Sequence, residues 1–574
     1  MAAVERYTKM ETLDRIAQDY WAFECEETPF APILAGQARG SDTPFRETQA
    51  DYRRRVDRAP ALHARLRLID ATALQGQSLA TYRLLDRELG AVRELFDVEL
   101  HLRPWLLPGG PEFNTAFFAN SSSLATVEDA QLYVRRLATL PAYVKALTAN
   151  LLTGFERGYR YPASVRAAAA VAARRAANVA SVAQSPWYGP FLRTSMALQG
   201  QVAAAEEQAT AVIMNELIPA LHNYANTLEG PLGVGACDSL SCVKSPDGDA
   251  FYRAMVRYFT TTDMSPEEVH ALGLREVERL EAALAAVAAG EGTELNEYRA
   301  RLLSDPAFQA PSADALLHSM QSLCKQIDGL IPTWFGRIPR ATYGVQSIPA
   351  AASATLPPAY AQPGAADGST PGLFWVSGLP AKCPNHIHAA LAVHEAWPGH
   401  LMHIALLQEL DHLPAFRRFG AVKYTACIEG WALYCEGLAD EMGLYAEPAA
   451  QFGRLEMEMW RAARLVVDTG IHWYDWSREN AIAYLTDRLS LDAVTIAAEV
   501  DRYAAMPGQA LGYQIGNLKV RGLRARAEER LGKDFSHRAF HEAVMTAGAV
   551  TLPVLEDLIE AWIEEARASH AIAA

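Results

Sequence analysis

The chain of 574 residues has little of what marks a disulfide-stapled, membrane-embedded or nucleic-acid-binding protein. Its seven cysteines, Cys25, Cys237, Cys242, Cys324, Cys383, Cys427 and Cys435, are odd in number and scattered, so most are expected to be reduced thiols. Cys237 and Cys242 lie close together in CDSLSC, but no second pair follows, and the stretch reads as a surface loop rather than a metal knuckle. No run approaches the roughly 20 apolar residues of a membrane span, and no membrane partner is expected. Basic residues are few: 52 against 67 acidic ones leave a net charge of -15, the wrong sign for a polyphosphate partner, so nucleic acid is excluded as well. The N-terminal segment MAAVERYTKMETLDRIAQDYW carries charge in every turn and lacks the apolar run and cleavage site of a secretory signal, which makes the cytoplasm the expected compartment. Repeats at solenoid periods are missing too.

What is present is ordinary globular composition, half apolar and 21% charged, in a length that corresponds to about four nominal domains. Apolar residues recur at spacings of three and four through most of the chain, which predicts a mainly α fold. Two regions are expected: a helical N-terminal one over residues 1–235 and a helical catalytic one over residues 236–574. Within the first, the alanine-rich stretch from Pro162 to Ala183 is a strong helix former whose arginines suit a solvated face. At the start of the second, Pro246–Gly248 reads as a turn, and Ser265 with Glu268 as a capping box. The segment from Ala341 to Cys383 gathers Pro, Gly, Ser and Ala and is expected to be irregular, with one or two strands. The run PGLFWVSG, Pro371 to Gly378, fits either an edge strand that pairs with an extended substrate or a buried structural strand.

The chemistry is concentrated in AALAVHEAWPGHLMH, where His394, Glu395, His400 and His403 fall within ten positions. A catalytic zinc ion needs two or three imidazoles or carboxylates, an open position, and a nearby carboxylate to take a proton from water. His394 and His400 suit the first role and Glu395 the second. In the HExxH pattern the histidines are four apart, about 40 degrees around a helix. Here they are six apart, which a regular helix would separate by roughly 240 degrees. Pro398 and Gly399 lie in the gap, where a missing N–H donor and a missing Cβ allow the helix to break and His400 to turn back. Thirty-four residues after Glu395, IEGWALYCEGLADEMG places Glu429 and Glu436 among apolar and aromatic neighbours, where a carboxylate is costly unless paired or metal-bound. Glu429 is the candidate third ligand. Glu436, two turns along the same face, is suited to hold a ligand histidine by its far nitrogen.

These motifs resemble the bacterial "domain of unknown function 885" family, with its HEAxPGHH and EGWALYAE patterns. The likeness continues through FGRLEMEMWRAARLVVDTGIHWYDWSRENAIAYL, RYAAMPGQALGYQIGNLKVRGLRARAE and FHEAVMTAGAVTLPVLEDLIEAWI, and is most specific from about Leu356 onward. That family is similar to the helical gluzincin-type zinc peptidases. The resemblance implies a large helical metallopeptidase-like fold with a deep cleft and a few short strands near the active site. It also implies His394, His400 and Glu429 as Zn2+ ligands, with Glu395 as base. One residue departs from the pattern: Leu401 stands where the family commonly has a second histidine after the first, and His403 is held in reserve as a ligand.

A charged tetrahedral intermediate needs donors besides the metal, and Tyr513 in PGQALGYQIG and His472 in DTGIH are the candidates, matching a tyrosine and a histidine of the related peptidases. Lys519, Arg461 and Arg464 are candidates for binding a substrate carboxylate. His386 and His388 in PNHIH are read as loop residues, and Trp473, Tyr474 and Trp476 as core. The expected function is a zinc-dependent hydrolase of peptide or peptide-like amide bonds, of carboxypeptidase or dipeptidase type. Its rivals are a zinc amidase acting on small N-acyl amino acids and a non-catalytic helical binding protein whose site has decayed.

Overall fold

A computed structural model describes residues 2–28, 45–234, 239–348, 353, 356–368, 370–420 and 423–573. Helices make up almost every element, as the apolar spacing predicts, and several begin where local chemistry satisfies the free N–H groups of the first turn. Reciprocal capping boxes join Thr48 to Asp51, Thr126 to Asp129 and Ser265 to Glu268. Pro162 is the N-cap of the alanine-rich helix Ala163–Ala177, but that helix does not keep all its arginines in water. Arg166 is buried and donates to the Leu228 carbonyl at 2.9 Å, because the small alanines let the neighbouring helix Ile218–Glu229 approach and supply an acceptor.

One hydrophobic cluster runs from Leu13 to Ile563, so helices of both expected regions contribute to a shared core. No helix among the described residues is long and apolar enough to cross a membrane. Cys237 lies outside the described residues; the other six cysteines are free thiols.

The second half positions the site. Helix α1 (Pro266–Gly290) packs along α6 (Pro448–His472), and α2 (Ala313–Trp334) leads into the segment of mixed composition. There three short strands form, one more than the upper expectation: β1 (Tyr343–Ser347), β2 (Ala359–Gln362) and β3 (Gly372–Val376), in the order β1-β3-β2. β3 pairs in parallel with β1 and antiparallel with β2, so both its hydrogen-bonding edges are occupied. The edge-strand expectation for PGLFWVSG therefore fails: its alternating Phe374 and Val376 are buried, and it is the structural middle of the sheet.

Beyond the sheet come α3 (His388–Glu395), α4 (His400–Gln408), α5 (Thr425–Glu441), then α6, α7 (Ala493–Ala505), α8 (Gly512–Leu531) and α9 (Leu552–Ala573). Helices α5 and α8 cross at Gly430 and Gly516. A Cβ on residue 516 would lie 1.8 Å from the Ala426 carbonyl oxygen, and one on residue 430 would lie 2.4 Å from the Gly516 backbone. Only two glycines permit this approach, which brings Glu429 on one helix beside Tyr513 on the other. Replacing Gly516 by Val is expected to force the helices apart at a cost of about 1–3 kcal/mol. Chemical denaturation measures it; an unchanged midpoint would refute the crossing.

Candidate metal centre

Helix α3 ends at Glu395 and α4 begins at His400, so the six-residue spacing is accommodated by a break rather than a continuous turn. Ala396 and Gly399 take ψ of −121° and −132°, outside the helical range, and a Cβ at residue 399 would stand 1.9 Å from the His394 carbonyl oxygen. The indole Nε1 of Trp431 on α5 donates to the Pro398 carbonyl at 2.9 Å and ties the break to that helix.

The break brings the imidazoles together, with ring centroids 4.7 Å apart and planes nearly perpendicular. Glu429 Oε2 lies 3.5 Å from His394 Nε2 and 3.3 Å from His400 Nε2. All three ligand atoms fall within 4.8 Å of one another, and this trio is the candidate metal-binding group found among the described residues. A tetrahedral ion with bonds of about 2.0–2.1 Å has donors roughly 3.3–3.4 Å apart, so two of the three edges already have the spacing zinc requires. Two neutral imidazoles and one carboxylate are also a donor set that zinc accepts.

The surroundings favour a cation. Burial alone would lower the pKa of His394, but the carboxylates of Glu429 and Glu436 outweigh it and push the value up to about 9. Burial opposes ionisation of Glu429, yet His400 and His394 hold its carboxyl well below the usual carboxylate range. Glu436 Oε1 lies 2.7 Å from His394 Nδ1, as expected of a residue that orients a ligand ring, and Arg461 Nη2 lies 3.5 Å from the same oxygen. The Glu429 side chain is 19% exposed against 4% for His394 and 10% for His400, which makes the Glu429 side the approach from solvent.

Other candidates divide. Glu395 is buried next to His394 and has no hydrogen bond or ion pair among the described residues. Tyr513 is half-buried; burial and the Glu429 charge both raise its phenol pKa, which places it beside the trio. His403 is buried with both ring nitrogens unpaired and its pKa pushed down to about 3 by burial and His400, but it is not one of the clustered ligands. Leu401 points at the sheet, where a Cβ on Gly372 would meet it at 2.9 Å, so a histidine in its place would face away from Glu429.

His472 does not serve the expected role. Its Nε2 donates to the Tyr503 carbonyl at 3.0 Å and its Nδ1 accepts from the Cys242 N–H at 3.3 Å, leaving no donor for an oxyanion. Its burial lowers it to about 4, and it acts as a neutral bridge between backbones. Lys519 is paired on the surface with Glu556 at 2.8 Å. His386 and His388 are buried rather than in a loop: His388 opens α3 and bonds the Cys383 carbonyl at 3.0 Å, while His386 sits 3.5 Å from Glu456. Of the aromatic trio, Trp473 and Trp476 are half-buried and Tyr474 is exposed, since the chain turns outward after α6 ends. A cavity of about 520 Å³, lined among others by Leu303, Lys382, Ser490 and Asp492, includes none of His394, His400 and Glu429.

Sequence reasoning missed Arg502 and Glu499, which pair beside Tyr513; arginine–glutamate pairs on helices are too common to stand out. For the ligand assignment, His400→Ala is expected to abolish zinc binding while His403→Ala keeps one ion per chain, and Glu436→Gln to weaken affinity about 10- to 100-fold. Competition with a chromogenic chelator measures all three; zinc lost only in His403→Ala would reverse the assignment.

Solved structures share this fold end to end. A chain named "putative lipoprotein" from Colwellia psychrerythraea superposes with a TM-score of 0.87 at 23% identity, covering 97% of this chain and 99% of that one. A "putative lipoprotein of unknown function" from Shewanella oneidensis gives a TM-score of 0.70 at 16% identity, covering 96% and 98%. The cytoplasmic placement read from the N-terminal segment does not hold against these neighbours, whose names attach them to lipid. No curated protein matches the chain. The model of the bacterial proteins of unknown function DUF885 matches residues 34–559, nearly the full length, and the protein belongs to that family.

Proposed function

We propose that the protein is a zinc-dependent hydrolase of peptide or peptide-like amide bonds, of carboxypeptidase or dipeptidase type. The observation that carries this reading is the convergence of His394 Nε2, His400 Nε2 and Glu429 Oε2 at edges of 3.5 and 3.3 Å, with an unpaired carboxylate, Glu395, next in sequence to the first ligand. It agrees with the resemblance to gluzincin-type peptidases, in which the same kinds of residue do this work.

Zinc held by the three residues would polarise a carbonyl and make water acidic near neutral pH. The chain's own groups do the rest. Glu395 takes a proton from the attacking water as the C–O bond forms, then delivers it to the leaving nitrogen as the C–N bond breaks. It suits that task because no cation or donor among the described residues is paired with its oxygens. Tyr513 stays protonated, since burial and the Glu429 charge both disfavour phenolate, and so donates a hydrogen bond to the carbonyl oxygen as it gains charge. The Glu436 carboxylate, 2.7 Å from His394 Nδ1, would hold that ring so that Nε2 is left for a metal, and Arg461 compensates its charge.

A peptide library digested by the zinc-loaded protein and read by mass spectrometry is expected to show amide cleavage that a chelator abolishes and zinc restores. Glu395→Gln is expected to keep one zinc per chain and lose about 10²- to 10⁴-fold in kcat. Full turnover in that variant would sink the mechanism. Absence of cleavage by zinc-loaded wild type would sink the function.

A further inference from the structure

Helix α6 carries two buried arginines one turn apart, and they are used differently. Arg461 serves the metal centre from behind through Glu436. Arg464 has its guanidinium carbon 4.4 Å from the centroid of the Tyr513 ring, against the residue that feels the charge of the ligand Glu429. Its Nε donates to the Tyr503 hydroxyl at 3.1 Å and its Nη2 to Glu499 Oε2 at 3.0 Å. Its Nη1 is buried and finds no acceptor among the described residues, and the residue as a whole is only 5% exposed. A buried guanidinium N–H left without an acceptor is costly unless a ligand supplies one.

The charge around it is unbalanced in the same sense. Arg502 binds Glu499 through Nε and Nη2, at 3.0 and 3.1 Å, and reaches the Gln509 side chain with Nη1. Glu499 therefore serves two guanidiniums at once, and their charges hold its carboxyl far below the usual range. Asp468 adds little, since burial pushes it up to about 7 and it accepts from Tyr252 and the Gly508 N–H. Two cations and one carboxylate leave an excess positive charge beside Tyr513, in surroundings where an unpaired charge is disfavoured. Glu395, Glu429 and Glu436 do not fill this need, because they face the metal centre and its histidines.

We propose that Arg464 binds the free α-carboxylate of the substrate, so that the site acts on peptides from their carboxyl end. A carboxylate is the ligand of matching charge, and a planar guanidinium whose buried Nη1 lacks an acceptor is the donor that holds it with direction. The stacked Tyr513 links the two ends of the site: its ring supports the guanidinium, and its hydroxyl serves the bond being cut. This inference rests on the hydrolase reading above and narrows its substrate class.

The test uses zinc-loaded full-length protein and one tripeptide library made both as free acids and as C-terminal amides. Wild type is expected to cleave the acids with kcat/KM about 10- to 100-fold above the amides, mainly through KM. In Arg464→Gln that ratio is expected to fall toward one, and in Arg464→Lys to lie between, since the charge stays and the fork is lost. A purely structural role would lower both rates and leave the ratio unchanged. Equal rates on acids and amides in wild type overturn the proposal while leaving the hydrolase reading intact. If wild type cleaves neither, the hydrolase reading fails, and calorimetric titration of the same libraries into zinc-loaded Glu395→Gln decides the carboxylate site separately. Tighter binding of acids than amides supports it, and equal binding overturns it.

Discussion

The constraint on which the site depends is the approach of the Gly399 backbone to the carbonyl of His394, where any side chain would stand within 1.9 Å of the oxygen. It allows the chain to fold back between α3 and α4 so that two imidazoles six residues apart meet. The contact is not local alone. Trp431 donates to Pro398 inside the break, and the helix it belongs to also supplies Glu429 and Glu436. One hydrogen bond thus sets the break against the helix that carries Glu429 and Glu436, the two carboxylates that meet His394.

Around that geometry the buried charges arrange themselves by simple electrostatics. Two carboxylates near His394 overcome the effect of burial and draw a proton onto it. Arg461 compensates Glu436, while Arg464 and Arg502 share a single carboxylate. The region behind Glu436 is therefore neutral by pairing, and the region behind Tyr513 is not. In a low-dielectric interior that difference separates a supporting contact from a place where a charged ligand is favoured.

The sheet and the second histidine site show how burial overrides local promise. PGLFWVSG has the composition of a docking strand, but pairing on both sides makes it a wall, and the start of that wall is what Leu401 packs against. His472 sits in a motif suited to catalysis, yet two backbone partners consume both its nitrogens. Neither outcome follows from the residue itself, since each depends on what the rest of the chain brings alongside.

The sequence by itself determined the helical architecture, the capping box at Ser265, the break at Pro398–Gly399, and the grouping of His394, His400, Glu429 and Glu436. Those features rest on periodicity, on the chemistry of single residue types and on short spacings, all of which act within a few turns of chain. Only the tertiary structure decided that Arg166 is buried, that β3 is a central strand, that His472 is spent on backbone and that Arg464 keeps an unused donor. These are properties of pairing between segments far apart in sequence, where the identity of the partner, and not of the residue, fixes whether a polar group is satisfied.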